Sequence, residues 1–328
     1  MSNVAQAILS ALAAAADPNP DVRHRGEAQL QELKANPDIF FTSCAELLKD
    51  TSVPTRGRQL VGFLLKNSLS HPACVQNSGL QMSVMNYAVV DTNSSIRSVA
   101  CAIISSAVRE ALWPAEPVVK VLTGILETRR GEVAAVHGSM RALSQIVDDC
   151  VQLLDMQRLT MSVVAALLPF LHAPMLPGAE GLDVQLKAFE AVAVVLEQAG
   201  MEYNNVSYSS LQPHISVIME SCFVNLQNPA SNQLATKCVK CLVLSLCFHE
   251  LIPDGLFHKI ANLMSQVMTS GDGRGEEIRI EATEFWRGCL CFPRFAALVE
   301  PMLDSLIPVL VRSMTYSDME IGMLQANA

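Results

Sequence analysis

The sequence predicts an all-α protein, a superhelical solenoid of antiparallel helix pairs, and three observations predict it. Strand signals are scarce: few Thr, Tyr or Phe residues alternate with polar ones, and no Asn-Gly or Asp-Gly pair sits between two alternating runs. Apolar residues recur at helical spacing along the whole chain. A turn followed by such a helix returns at intervals from the low thirties to about fifty residues.

The first segment, AQAILSALAAAAD, reads as an amphipathic helix. It could pass for the core of a secretory signal, but no Lys or Arg precedes Arg23, so the positive flank of such a signal is missing. PNPDVRHRGEAQLQEL opens the next helix, with Val22, Ala28, Leu30 and Leu33 as an apolar stripe and Arg23, Arg25, Glu27 and Gln29 mostly to the other side. TSVPTRGRQLVGFLLKN, TNSSIRSVACAIISSAV and RRGEVAAVHGSMRALSQI repeat the pattern. The first three copies share an Arg just after the turn: Arg23, Arg56 and Arg97. PGAEGLDVQLKAFEAVAVVL, NPASNQLATKCVKCLVLSL and GDGRGEEIRIEATEFWRG keep the pattern and mostly lose the Arg. Less regular apolar helices lie between, at Ile39 to Leu48, Pro117 to Leu126 and Ile215 to Leu226.

This period brackets the two-helix repeat of HEAT and armadillo type. Such a unit cannot bury its apolar face alone, so successive pairs must stack into one continuous core. Seven full pairs are expected, then the first helix of an eighth from about Arg294 to Tyr316. The stretch Leu306 to Met314 would expose Leu306 and Leu310 to a partner helix, which predicts self-association of the isolated chain through that end.

Half of the residues are hydrophobic and 17% are charged, ample apolar material for several cores in series. A net charge of -9 and a pI near 5.3 argue against nucleic acid, whose phosphates need clustered Lys and Arg, and favour a basic protein partner. The longest apolar run, Val163 to Leu176, is too short to span a bilayer, so no membrane is expected. The ten cysteines sit in apolar segments, as in Val99 to Ile103, and suit a reducing compartment.

No catalytic motif stands out. The glycine-rich Gly271 to Gly275 follows no strand and reads as a connector, and His24, His137 and His214 have no catalytic constellation around them in sequence. Cys238-x-x-Cys241, with Cys247 and His249 beyond, contains metal-ligand types, but a lone C-x-x-C without a second pair reads better as a buried helical face. Trp113 and Trp286 read as anchors between neighbouring repeats. Neither an enzyme, a cofactor nor a metal is expected.

Particular residues say more than the periodicity does. Arg23, Gln29, Leu30, Pro37, Phe40, Arg56 and Leu60 with Leu65-Lys66-Asn67 resemble the importin-β N-terminal domain of karyopherins. Leu112-Trp113-Pro114, Ser144 to Asp149, Glu281 to Trp286, and Leu306 to Val311 leading to Met314 to Asp318 resemble the transportin-like members of that family. The likeness is strong at both ends and thin from Pro169 to Asp272. It implies an importin-β N-terminal-like domain over residues 1–110 and further HEAT repeats over 111–328. It also implies a nuclear import receptor, shuttling between cytoplasm and nucleus, that binds Ran-GTP on the concave face. On that reading Leu65-Lys66-Asn67 meets the switch region, Lys66 and Asn67 by hydrogen bonds, while Asp148, Asp149 and Glu284 face a basic patch. Nucleoporins are further partners it admits, and cargo would be held by an arch of repeats beyond this chain. A scaffold of HEAT repeats without Ran binding is the alternative reading.

Overall fold

The computed structural model describes residues 2–172, 174–201, 205–269 and 276–313, and among them there are helices and turns but no strand. The glycine-rich Gly271 to Gly275 and the turn at Tyr316-Ser317-Asp318 lie outside the described residues. The chain divides into two compact units. The first takes residues up to Ala166 together with Leu176–Lys187, and the second takes Leu167–Met175 and the chain from Ala188 onward.

In the first unit α1 (Asn3–Ala15) packs on α2 (Pro20–Leu33), and α3 (Pro37–Lys49) packs on α4 (Thr55–Lys66). The short α5 (Pro72–Val75) leads to α6 (Ser78–Ser83), which runs on through a π-helical turn at Val84–Ala88. α7 (Ser94–Arg109) follows, then α8 (Ala115–Thr128) paired with α9 (Val133–Met156), and α10 (Thr160–Leu167). The second helices of the pairs form one row, with α4 beside α7 and α7 beside α9, while α6 lies against α3 in the other row. α11 (Gly178–Met201) contributes its front to this unit and its rear to the next.

In the second unit α12 (Val206–Leu211) precedes α13 (Ile215–Gln227), which pairs with α14 (Asn232–Ser245), and α15 (Asp254–Thr269) pairs with α16 (Glu276–Leu290). α17 (Pro293–Val299) and α18 (Leu303–Ser313) complete it, with α18 against α15. Stacked rings hold its core: Phe257 lies 4.6 Å from Phe295 and 6.2 Å from Phe285.

Helix starts follow local chemistry. Ser2, Asn19, Asn93 and Ser231 each accept a hydrogen bond from a backbone N–H in the first turn of α1, α2, α7 and α14, where four such donors have no partner within the helix. Two glycines allow close approach. A side chain at Gly26 would meet the backbone of α1 at 2.4 Å, and one at Gly138 would meet the Val89 carbonyl at 1.7 Å.

A buried polar ladder ties the first unit together. Arg58 donates from Nε to the Leu48 carbonyl at 2.9 Å and pairs through Nη2 with Asp91, both side chains being almost wholly buried. Arg97 donates through Nη1 to the carbonyls of Asp91 and Thr92 at 2.7 and 2.9 Å, and through Nη2 to Glu180. Its Nε donates to Nδ1 of His137 at 3.2 Å, so the proton of that ring sits on Nε2, facing Asp183 at 2.9 Å. That bond outweighs burial, which pushes the other way, and holds the Asp183 carboxyl below the usual carboxylate range.

The three Arg residues that recur after the turns differ in burial: Arg97 is buried, Arg56 exposed and Arg23 half-exposed, and Arg58, one half-turn after Arg56, is the buried partner of α3. The structure corrects one expectation from sequence, that Leu306 is open to a partner helix. Leu306 is 3% exposed, because α18 turns that face onto α15, and Ile307 and Val311 are the residues left in solvent, at 51% and 56%.

Removing a guanidinium that satisfies four acceptors strands buried polar groups. Arg97→Ala should therefore lower unfolding free energy by about 3 kcal/mol or more, read from the urea midpoint. Gly138→Ala should also destabilise, whereas at Gly124, mid-helix in α8 with nothing within 4 Å, the same change should stabilise by roughly 0.5–1 kcal/mol.

Candidate binding surface

α4 is amphipathic, and its last turn places the three family-like residues differently. Leu65 is fully buried in the core, so it fixes the helix end rather than presenting a contact. Lys66 and Asn67 are exposed; Asn67 is the C-cap, its N–H donating to the Phe63 carbonyl at 3.0 Å. The Lys66 ammonium makes no ion pair among the described residues, and a cation is favoured at a helix C-terminus by the helix dipole. Lys34, at the end of α2, brings a second ammonium to the same place, with Nζ 3.5 Å from the Ser68 hydroxyl.

Phe63 was not picked out from sequence. It lies three and four residues before Lys66 and Asn67, hence on the same helical face, and is 51% exposed. The signal was present as a helical spacing, but an aromatic in an apolar helix reads by default as core.

Asp148 and Asp149 lie in α9, just before Cys150 interrupts the helix with φ -141°. Asp148 is exposed and makes no ion pair or hydrogen bond among the described residues. Asp149 is partly committed to the fold: Ser105 of α7 donates to its carboxylate, and Arg109 of α7 lies 3.6 Å away. Because α4, α7 and α9 lie side by side, the end of α4, the end of α7 and this part of α9 belong to one row of helices.

Glu284 belongs to the second unit and has a mixed-charge setting. Its carboxylate pairs with Arg287 at 2.5 Å on the same helix. On neighbouring elements Lys237 stands 3.8 Å from Glu190, and Lys240 stands 3.8 Å from Glu197. Glu281 sits among these groups with its carboxyl pushed up, by burial first and by Glu284, against the opposing pull of Lys240 and Lys237.

Other candidates resolve into structure. Cys238 and Cys241 are wholly buried in α14, and their near neighbour is Cys222 of α13 rather than Cys247 or His249. Burial pushes the Cys222 thiol well above its ordinary value, which favours the inert protonated form. Among the described residues no group of three or more His, Cys, Asp or Glu is arranged to hold a metal ion, and no helix is long and apolar enough to cross a membrane. Trp113 and Trp286 are both 2% exposed, and His24 is exposed while His214 is half-exposed.

No protein-family model matches the chain. It is 23% identical to importin subunit beta-2 of Schizosaccharomyces pombe over 327 residues, covering 94% of this chain and 33% of that protein. It is 24% identical to mouse transportin-1, covering 98% of this chain and 34% of that protein. The chain therefore spans about a third of the length of the curated relatives it matches. Among solved structures it is similar to yeast importin-β (Kap95p), with TM-score 0.64 and 16% identity over 97% of this chain and 36% of that one. Kap121p is also similar, with TM-score 0.62 and 18% identity over 86% of this chain and 26% of that one. Importin subunit beta-2 and transportin-1 are thus homologues of the chain, and its fold is the HEAT-repeat solenoid of the karyopherins.

The raised Glu281 carboxyl has a pH signature. The folded state holds that proton more tightly than the unfolded chain, so the ionised form opposes folding above the raised folded value and stops doing so below it. Glu281→Gln should equal or exceed the parent in stability near neutral pH, with the difference shrinking as acid protonates the parent. Urea titrations at a series of pH values would show it.

Proposed function

We propose that this chain is the N-terminal part of a nuclear import receptor and binds the small GTPase Ran in its GTP form, working between cytoplasm and nucleus. The observation that carries the reading is the homology over 94% of the chain to importin subunit beta-2. A structural neighbour adds support: Kap95p with Ran, at TM-score 0.61 over 97% of this chain, where Kap95p binding induces the switch loops of RanGDP to adopt the GTP-bound conformation. Kap95p also stands in a complex with Nup1 at TM-score 0.61, which supports nucleoporins as further partners.

On this reading Lys66 and Asn67, exposed at the end of α4, hydrogen-bond the switch region of Ran. Asp148 meets basic residues of Ran through open solvent, and Asp149 does so while anchored by Ser105. Glu284 takes a smaller share, since Arg287 already offsets its charge. The mechanism is recognition rather than bond chemistry, and charges at the rim of such a contact act chiefly on the rate of encounter.

Titration of the chain with Ran-GTP and Ran-GDP in parallel tests the proposal. Ran-GTP should bind more tightly, and Lys66→Ala should weaken it by about 1–3 kcal/mol, the range for a charged hydrogen bond. Asp148→Lys should slow association and flatten its dependence on salt. Equal affinity for the two nucleotide states, or none for either, would favour a HEAT scaffold with another partner.

A further inference from the structure

A groove of about 970 Å³ lies in the first unit between the start of α1, the exposed face of α3 and the π-helical turn. Its position is set by the other row of helices from that carrying Lys66 and Asp148, so the surface proposed for Ran does not use it. The floor is apolar, with Ala5 and Leu47 buried beneath it. Ile39 from α3 and Tyr87 from the π turn stand on its walls, 51% and 52% exposed.

The charge lining this groove is one-sided. Among the described residues that line it, Asp38, Glu46 and Asp50 face the groove from α3 and its C-cap, against one cation, Lys49, which is already held by Glu46 at 2.8 Å. Asp50 accepts from both the N–H and the hydroxyl of Ser52, at 2.9 and 2.6 Å, and these bonds hold its carboxyl below the ordinary value, so it stays charged at neutral pH. Ser43 opens on the same groove and is 8% exposed.

From this geometry we infer that the groove is a docking site for a short basic peptide segment of a partner protein, one that seats an aliphatic or aromatic side chain between Ile39 and Tyr87. Lysine or arginine residues flanking that anchor meet Asp38, Glu46 and Asp50, and a polar group of the peptide backbone meets Ser43. Phosphate-bearing ligands and anionic membrane surfaces are disfavoured by the same three carboxylates. The apolar walls set the anchor, and the carboxylates set the sign of its neighbours.

Fluorescence anisotropy with a labelled peptide, Lys-Arg-Leu-Phe-Lys-Arg, tests the inference. Two probes accompany it: the same peptide with Gly-Gly replacing Leu-Phe, and Glu-Glu-Leu-Phe-Glu-Glu. The basic apolar peptide should bind saturably and the other two should not. The double variant Asp38→Asn with Glu46→Gln should weaken it about fivefold, the size expected for two partly screened charge pairs. Tyr87→Ala should weaken it by a similar factor, and Glu116→Gln, an exposed carboxylate on α8, should leave it unchanged. Circular dichroism would establish that each variant is folded. Absence of saturable binding, equal binding of the glycine peptide, or an equal loss in Glu116→Gln would overturn the site in favour of diffuse attraction to an acidic protein.

Discussion

The first unit depends on how the Arg97 guanidinium, with a side chain 1% exposed, is kept supplied with acceptors. A buried charge without partners would be prohibitive, so Nε, Nη1 and Nη2 each point at an oxygen or nitrogen from a different stretch of chain. Those stretches are the turn at Asp91, the second turn of α9 and the start of α11. Apolar packing alone tolerates sliding of one helix along another, because it is non-directional; hydrogen bonds of this kind do not. The ladder therefore sets register between repeats, and Gly138, where a Cβ would meet the Val89 carbonyl and stand 3.1 Å from Arg97 Cδ, leaves room for α9 to come close enough.

Much of this architecture was legible from sequence because helix pairs obey local rules. Capping residues, apolar stripes and turn residues lie within a few positions of one another, and the segments Ile39 to Leu48, Pro117 to Leu126 and Ile215 to Leu226 fall inside α3, α8 and α13. The ladder was only half legible. Arg97 stood out as a recurring residue, but its partners His137 and Glu180 are 40 and 83 positions away, a separation over which periodicity carries no information. The role of Arg58 was not legible for a related reason: Arg56 and Arg58 point in different directions from one helical turn, and only packing against Leu48 and Asp91 tells which is inside.

Surface residues were less legible still. Leu65, Lys66 and Asn67 are consecutive, yet the first belongs to the core and the other two to solvent, as one-hundred-degree steps around a helix require. Asp148 and Asp149 differ likewise, one free in solvent and the other drawn toward Ser105 and Arg109. A charge count cannot separate such neighbours. Around Glu284 the second unit interleaves carboxylates with Lys237, Lys240 and Arg287, a mixture that only the packing of its helices brings together.

The π turn at Val84–Ala88 changes the rotational phase of its helix. In an uninterrupted α-helix a residue seven positions after Leu80 shares its face, which would carry Tyr87 inward beside a fully buried leucine. The wider turn, closed by the Val89 N–H on the Val84 carbonyl at 3.0 Å, holds one more residue than an α turn and breaks that phase. Tyr87 comes out while Ala88 and Val89 go in. The segment can be understood as an α-helix carrying a single extra residue, absorbed without a loop, so that an aromatic ring is displayed on the outside with the helix before it and the turn after it still seated in the core.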